Sequence, residues 1–126
     1  MTATRQSVML VEDDPAILKL TTRILQNIGH EVFSAANGTD ALSTYETHKE
    51  SIGIVLTDVQ MPDITGHELA IQLRSKSPNL PIVLVSGYAQ DQLAEDTNLE
   101  GIFYLQKPFN KAALQDTINH VLGNEI

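Results

Sequence analysis

Cysteine is absent from all 126 residues. That excludes disulfides, thiolate nucleophiles and zinc–cysteine sites, and it suits a reducing, cytoplasmic setting. Positive charge is scarce: 8 Lys and Arg stand against 16 Asp and Glu, a formal charge of −8. With no basic patch to neutralise phosphates, direct nucleic-acid binding is not expected. No apolar run approaches the ~20 residues of a membrane span, so no membrane association is expected. Residues 1–7 are short and polar and lack an apolar h-region, so they do not read as a secretory signal. Internal repeats, low-complexity stretches and long linkers are missing, as is any Gly-x-Gly-x-x-Gly phosphate loop. The length suggests one domain over 1–126, with a core from about residue 7 to about 123.

Residues 54–66 are the organising stretch. The apolar run Ile54-Val55-Leu56-Thr57 ends on a lone carboxylate, Asp58, and the loop Val59-Gln60-Met61-Pro62 follows at once. Open parallel sheets bind ligands just beyond the carboxyl ends of their strands. If residues 54–57 form a central strand, Asp58 stands at that rim.

The rest of the chain alternates in kind. Val8-Met9-Leu10-Val11 reads as a short buried strand. Asp14-Pro15 is a helix start, with a capping carboxylate before Pro at the first helical position. Ile17, Leu20, Ile24, Leu25 and Ile28 form the apolar stripe of that helix, and Gly29 suits its end. Residues 31–34 form a second strand. Asn37-Gly38 could be a hairpin turn, but Ala41, Leu42 and Tyr45 continue at helical spacing, so a helix over about 38–48 is preferred. Residues 52–57 are apolar enough for a strand buried on both faces. Thr65-Gly66-His67-Glu68 fits a capping box, continued by Leu69, Ala70 and Leu73. Residues 80–85 form a fourth strand ending on Ser86-Gly87, 89–100 a weakly amphipathic helix, and 102–105 a fifth strand. After a loop over 106–109, Asn110 caps a last helix carrying Leu114, Ile118, Val121 and Leu122. Five strands alternating with five helices predict an α/β, doubly wound parallel sheet of flavodoxin-like order 2-1-3-4-5.

That topology gathers distant residues. Glu12-Asp13, Asp58, Ser86 and Lys107 end four strands and share one rim. Each pair of its carboxylates at ~4 Å costs roughly 1 kcal/mol in water and about 4 at an effective dielectric of 20. Such a site needs a cation, or one group must take up a proton. An oxygen-rich cluster without Cys or clustered His suits Mg²⁺, or Mn²⁺ in its place. A metal and Lys107 around a carboxylate form a phosphoryl-transfer arrangement, with Asp58 as a covalent nucleophile.

In order and spacing, four pieces resemble a response-regulator receiver domain of two-component signalling: Leu10-Val11-Glu12-Asp13-Asp14-Pro15, Thr57-Asp58 through Met61-Pro62 to Gly66, Pro81 through Val85-Ser86, and Tyr104-Leu105-Gln106-Lys107-Pro108-Phe109. The resemblance covers nearly the whole chain, from about residue 8 to about 122. It implies that Asp58 accepts a phosphoryl group from a phosphohistidine on a sensor histidine kinase or a histidine phosphotransfer protein. It implies that Glu12 and Asp13 hold Mg²⁺ with Asp58 and the Gln60 backbone carbonyl, Asp13 being the more direct ligand. Lys107 would pair with the phosphate, Ser86 would hydrogen-bond it, Tyr104 would swing inward, and the Lys107–Pro108 bond would be cis. Such a module catalyses its own phosphorylation and dephosphorylation and is not a metabolic enzyme. Its output surface, residues 89–123, would meet an unknown downstream protein or form a homodimer. Ser86-Gly87-Tyr88 resembles the receivers attached to hybrid sensor kinases.

The acidic triplet leaves a register choice: Asp14 is taken as the helix cap, with Asp13-Asp14 as the alternative metal pair. His67-Glu68-Leu69 superficially resembles the phosphoacceptor box of a histidine kinase. Ala70-Ile71-Gln72 stands where Arg-Thr-Pro usually follows, so His67 is expected at the surface. Three other functions compete. A small flavin- or nucleotide-binding module would have Glu12-Asp13-Asp14 repelling its phosphate. A haloacid-dehalogenase-type phosphatase would want an Asp where Gln60 stands. A non-phosphorylated pseudo-receiver would only dock partners.

Overall fold

Asp14 accepts hydrogen bonds from the N–H groups of Ala16 and Ile17, Pro15 follows in the first turn, and Gly29 ends the helix at φ 114°. These local devices bound α1 (Pro15–Ile28) as the sequence leads one to expect. The computed structural model describes residues 7–87 and 101–123. The remaining elements are β1 (Ser7–Val11), β2 (Val32–Ala35), α2 (Gly38–His48), β3 (Ile52–Asp58), α3 (Gly66–Lys76), β4 (Ile82–Ser86), β5 (Ile102–Gln106) and α4 (Lys111–Leu122). Asn37 caps α2, Thr65 and Glu68 form the capping box of α3, and Asn110 caps α4. The helical reading of Asn37-Gly38 is therefore the one the chain adopts. The helix expected over 89–100 lies outside the described residues.

The five strands are all parallel, in the order β2-β1-β3-β4-β5. Successive side chains of a strand face opposite ways, and both faces are covered. Met9, Val11, Val55, Ile82 and Leu84 pack with Tyr45, Leu69 and Leu73 under α2 and α3. Val8, Leu10, Ile54, Leu56, Val83 and Val85 pack with Leu25, Leu114 and Ile118 under α1 and α4. Burial on both faces is why these strands are nearly continuous apolar runs rather than alternating ones.

The fourth strand starts two residues later than its apolar run suggests. Leu80 N–H turns back to the Ser77 carbonyl (3.1 Å), and Pro81 has no N–H to donate; only its carbonyl joins the sheet, accepting from Val55 N–H at 3.0 Å. No described helix is long and apolar enough to cross a membrane.

Candidate functional site

The parallel sheet delivers its carboxyl-end residues to one rim. Beyond β1, Glu12 is still tied to the sheet through its N–H, which donates to the Ala35 carbonyl at 3.0 Å. Its side chain is buried and doubly engaged. One carboxylate oxygen accepts from Asp14 N–H at 3.1 Å, the other from Lys107 Nζ at 3.1 Å. Lys107 Nζ lies 3.4 Å from Asp58 Oδ2. Carboxylate oxygens of Glu12, Asp13 and Asp58 all lie within 4.8 Å of one another. Asp14 does not join them, since its carboxylate caps α1.

Among the described residues, three carboxylates against one ammonium leave the cluster two positive charges short. Asp58 shows the strain of this. Burial first, then the neighbouring Glu12 charge, push its pKa up to about 6, while Lys107 works in the opposite direction. Burial alone would loosen the proton on Lys107, but the hydrogen bond to Glu12 and the charges of Asp58 and Glu12 outweigh it and hold the ammonium above its usual range. A divalent cation on the oxygens of Glu12, Asp13 and Asp58 would bring the rim to neutrality. An all-oxygen donor set fits Mg²⁺ or Mn²⁺.

The backbone around Asp58 is closely fitted. Gly66 N–H donates to the Val59 carbonyl at 2.7 Å. A Cβ at Gly66 would overlap the Asp58 carbonyl oxygen and come within 3.0 Å of Val59 Cα. Only glycine allows the loop to close this tightly onto the end of β3. At the other side of the loop, Asp63 accepts from the N–H groups of Gly38 (3.0 Å) and Thr39 (2.8 Å) and from the Thr39 hydroxyl (2.8 Å). These bonds hold its carboxyl well below the usual carboxylate range. The loop carrying Gln60 and Met61 is thus pinned to the N-terminus of α2. Across the sheet, Lys107 N–H donates to the Ser86 carbonyl at 2.8 Å, which joins the end of β4 to the residue after β5.

Of the residues singled out by sequence, Glu12, Asp13, Asp58 and Lys107 stand together. Ser86 is buried at the end of β4, and Gln60 is exposed in the loop after β3. The Lys107–Pro108 bond is cis. Tyr104 is half-buried on β5, opposite Leu84.

His67 requires a correction. It is not at the surface but 1% exposed, with its Nε2 3.1 Å from the Tyr104 hydroxyl. It precedes Ala70 by three positions and so lies on the buried stripe of α3. That spacing was the signal available; the polarity of the ring obscured it. The cap made by Asp63 on α2 is not legible in the sequence, because it spans 24 residues and nothing local announces it.

Residues 8–119 match the family model of the response regulator receiver domain. The chain belongs to that family. It is 37% identical over 120 residues to the sensor kinase CckA of Brucella abortus, covering 94% of this chain and 13% of that protein. The receiver domain also superposes on a response regulator receiver domain protein from Clostridium thermocellum with a TM-score of 0.86, at 25% identity and covering 94% and 95% of the two chains. A CheX–CheY complex with BeF3 and Mg²⁺ from Borrelia burgdorferi superposes at a TM-score of 0.84, 25% identity and coverage of 92% and 88%. The fold is the CheY-like, flavodoxin-like α/β fold. This receiver domain is a module of two-component signal transduction rather than a metabolic enzyme. It spans between 13% and 26% of the length of the first curated relatives it matches.

Proposed function

We propose that the receiver domain is a phosphoacceptor, and that Asp58 takes a phosphoryl group from a phosphohistidine on a histidine kinase or histidine phosphotransfer protein. A carboxylate oxygen of Asp58 forms the new P–O bond as the P–N bond breaks, and the imidazole leaves with the bonding pair. One observation carries this reading: a carboxylate at the tip of the central strand, with the oxygens of two further carboxylates within 4.8 Å and an ammonium at 3.4 Å. Glu12, Asp13, Asp58 and the Gln60 backbone carbonyl would hold Mg²⁺, or Mn²⁺ in its place. When bound, the dication supplies charge that offsets repulsion between the carboxylates and the incoming phosphoryl oxygens. The Mg²⁺ in the Borrelia complex supports that choice. Lys107 then pairs with a phosphoryl oxygen, and the Ser86 hydroxyl donates to another. Tyr104, already turned inward onto His67 at 3.1 Å, would be fixed there when Ser86 engages the phosphoryl group, setting the surface of residues 89–123 that a downstream protein or a second copy would read.

We read residues 1–126 as one receiver domain that comes from, or works beside, a hybrid sensor kinase; the 37% identity to CckA supports this. The test is the intact mass after incubation with a small phosphodonor, with and without Mg²⁺, alongside Asp58→Asn. The expected result is a metal-dependent gain of one phosphoryl group that is absent in the variant and labile to hydroxylamine. No gain in folded, Mg²⁺-binding protein, either from the small donor or from a phosphorylated histidine kinase, would leave a docking module instead.

A further inference from the structure

His67 takes no part in the phosphoacceptor chemistry proposed above, yet it is as buried as the core leucines at 1% exposure. An apolar side chain would fill that volume without the cost of desolvating an imidazole. What the imidazole adds is a directed bond, from its Nε2 to the Tyr104 hydroxyl at 3.1 Å. In one neutral tautomer Nε2 accepts from the phenol, and in the other it donates to the phenolic oxygen. Among the described residues, Tyr104 is held from two sides. Its strand is laddered to β4 opposite Leu84, and its ring packs against the core on the α2–α3 face with its hydroxyl on His67.

The position of His67 in the chain gives the contact a further meaning. The residue before it is Gly66, which is locked against the Asp58 carbonyl and bonded to the Val59 carbonyl at 2.7 Å. A displacement of the Asp58–Val59 backbone must therefore carry the first turn of α3 with it. That turn bears the imidazole. From the end of β3 to the phenol on β5 there are two steps, one of backbone contact and one hydrogen bond.

We infer that His67 is a positioning residue that holds Tyr104 folded against α3 and couples its placement, through Gly66, to the backbone of the phosphoacceptor. The holding role stands on the contact alone; the coupling rests on the phosphoacceptor reading of Asp58.

The experiment is solution NMR of the full chain with ¹³C-labelled tyrosine, reading the Tyr104 χ1 rotamers and ring shifts in wild type, His67→Leu and His67→Gln. In the resting protein, His67→Leu keeps the volume and loses the bond. The ratio of folded-in to other rotamers should fall roughly 3- to 10-fold, the size of effect one buried hydrogen bond carries. His67→Gln retains a donor and an acceptor and should recover part of that loss. A folded His67→Leu protein with wild-type rotamer populations would overturn the inference. Should His67→Leu not fold, the His67 ring ¹⁵N shifts are compared in wild type and Tyr104→Phe. Loss of the phenol should move the Nε2 signal, and an unmoved signal overturns the holding role.

Beryllofluoride with Mg²⁺ then probes the coupling. In wild type the His67 and Tyr104 ring signals should shift together, and in His67→Leu the Tyr104 response should drop by more than half. Failure of Asp58 to take up beryllofluoride counts against the phosphoacceptor reading and leaves the resting-state result intact. Uptake with an undiminished Tyr104 response in His67→Leu overturns the coupling.

Discussion

At Asp58, a pKa of about 6 against an ordinary 3.8 means that the ionised group works against the fold. The linkage has a definite sign. The contribution of this carboxyl is fully present below 3.8 and is lost as pH rises through about 6. Asp58→Asn removes the charge without emptying the site, and Lys107 keeps Glu12 at 3.1 Å. Metal-free Asp58→Asn should therefore exceed wild type in stability at pH 7.5 by about 1–3 kcal/mol, and by little or nothing at pH 4. Urea unfolding at both values decides it: an equal gain at both would mean that repulsion at the rim is not the cause. The acidity of the site was legible from the sequence because charge and strand position are both local. The burial that contributes most to its raised pKa was not, because it depends on how closely α1 and the loop after β5 approach.

Single loops and caps decide how well that carboxylate is presented. Asp63 and Asn37 both satisfy N–H groups at the start of α2, but only Asp63 belongs to the loop that follows β3. Asp63→Ala and Asn37→Ala should each cost about 1 kcal/mol, as a lost cap does. Only Asp63→Ala should also slow phosphorylation of Asp58, several-fold, because it unpins the segment that carries Gln60. Unfolding free energies and rates with a small phosphodonor separate the two effects. Equal rates in both variants would show that the loop needs no anchor. Sequence signals sufficed for the caps of α1 and α3, where Asp14-Pro15 and Thr65 to Glu68 act within one turn. They failed for Asp63 and for His67, whose partners arrive from other elements. Residues that serve their own turn can be read in sequence; residues that join two elements need the fold.

For the molecule as a whole, one sheet carries two cores. Leu56 is buried on the α1–α4 side and Leu69 on the α2–α3 side. Truncating either to Ala should cost about 2–5 kcal/mol. Because both layers rest on the same strands, either variant should still unfold in one transition by fluorescence and circular dichroism alike. A split transition would mean that the layers melt separately. This architecture was legible almost entirely from the strand–helix alternation, since burial on both faces writes itself into the sequence as unbroken apolar runs. The topology has a last consequence. β1 enters the sheet at the rim far from Asp58, and α4, which starts beside the site after Asn110, runs back toward that same far rim. Residues 7 and 123 thus both stand at the pole of the sheet opposite Asp58.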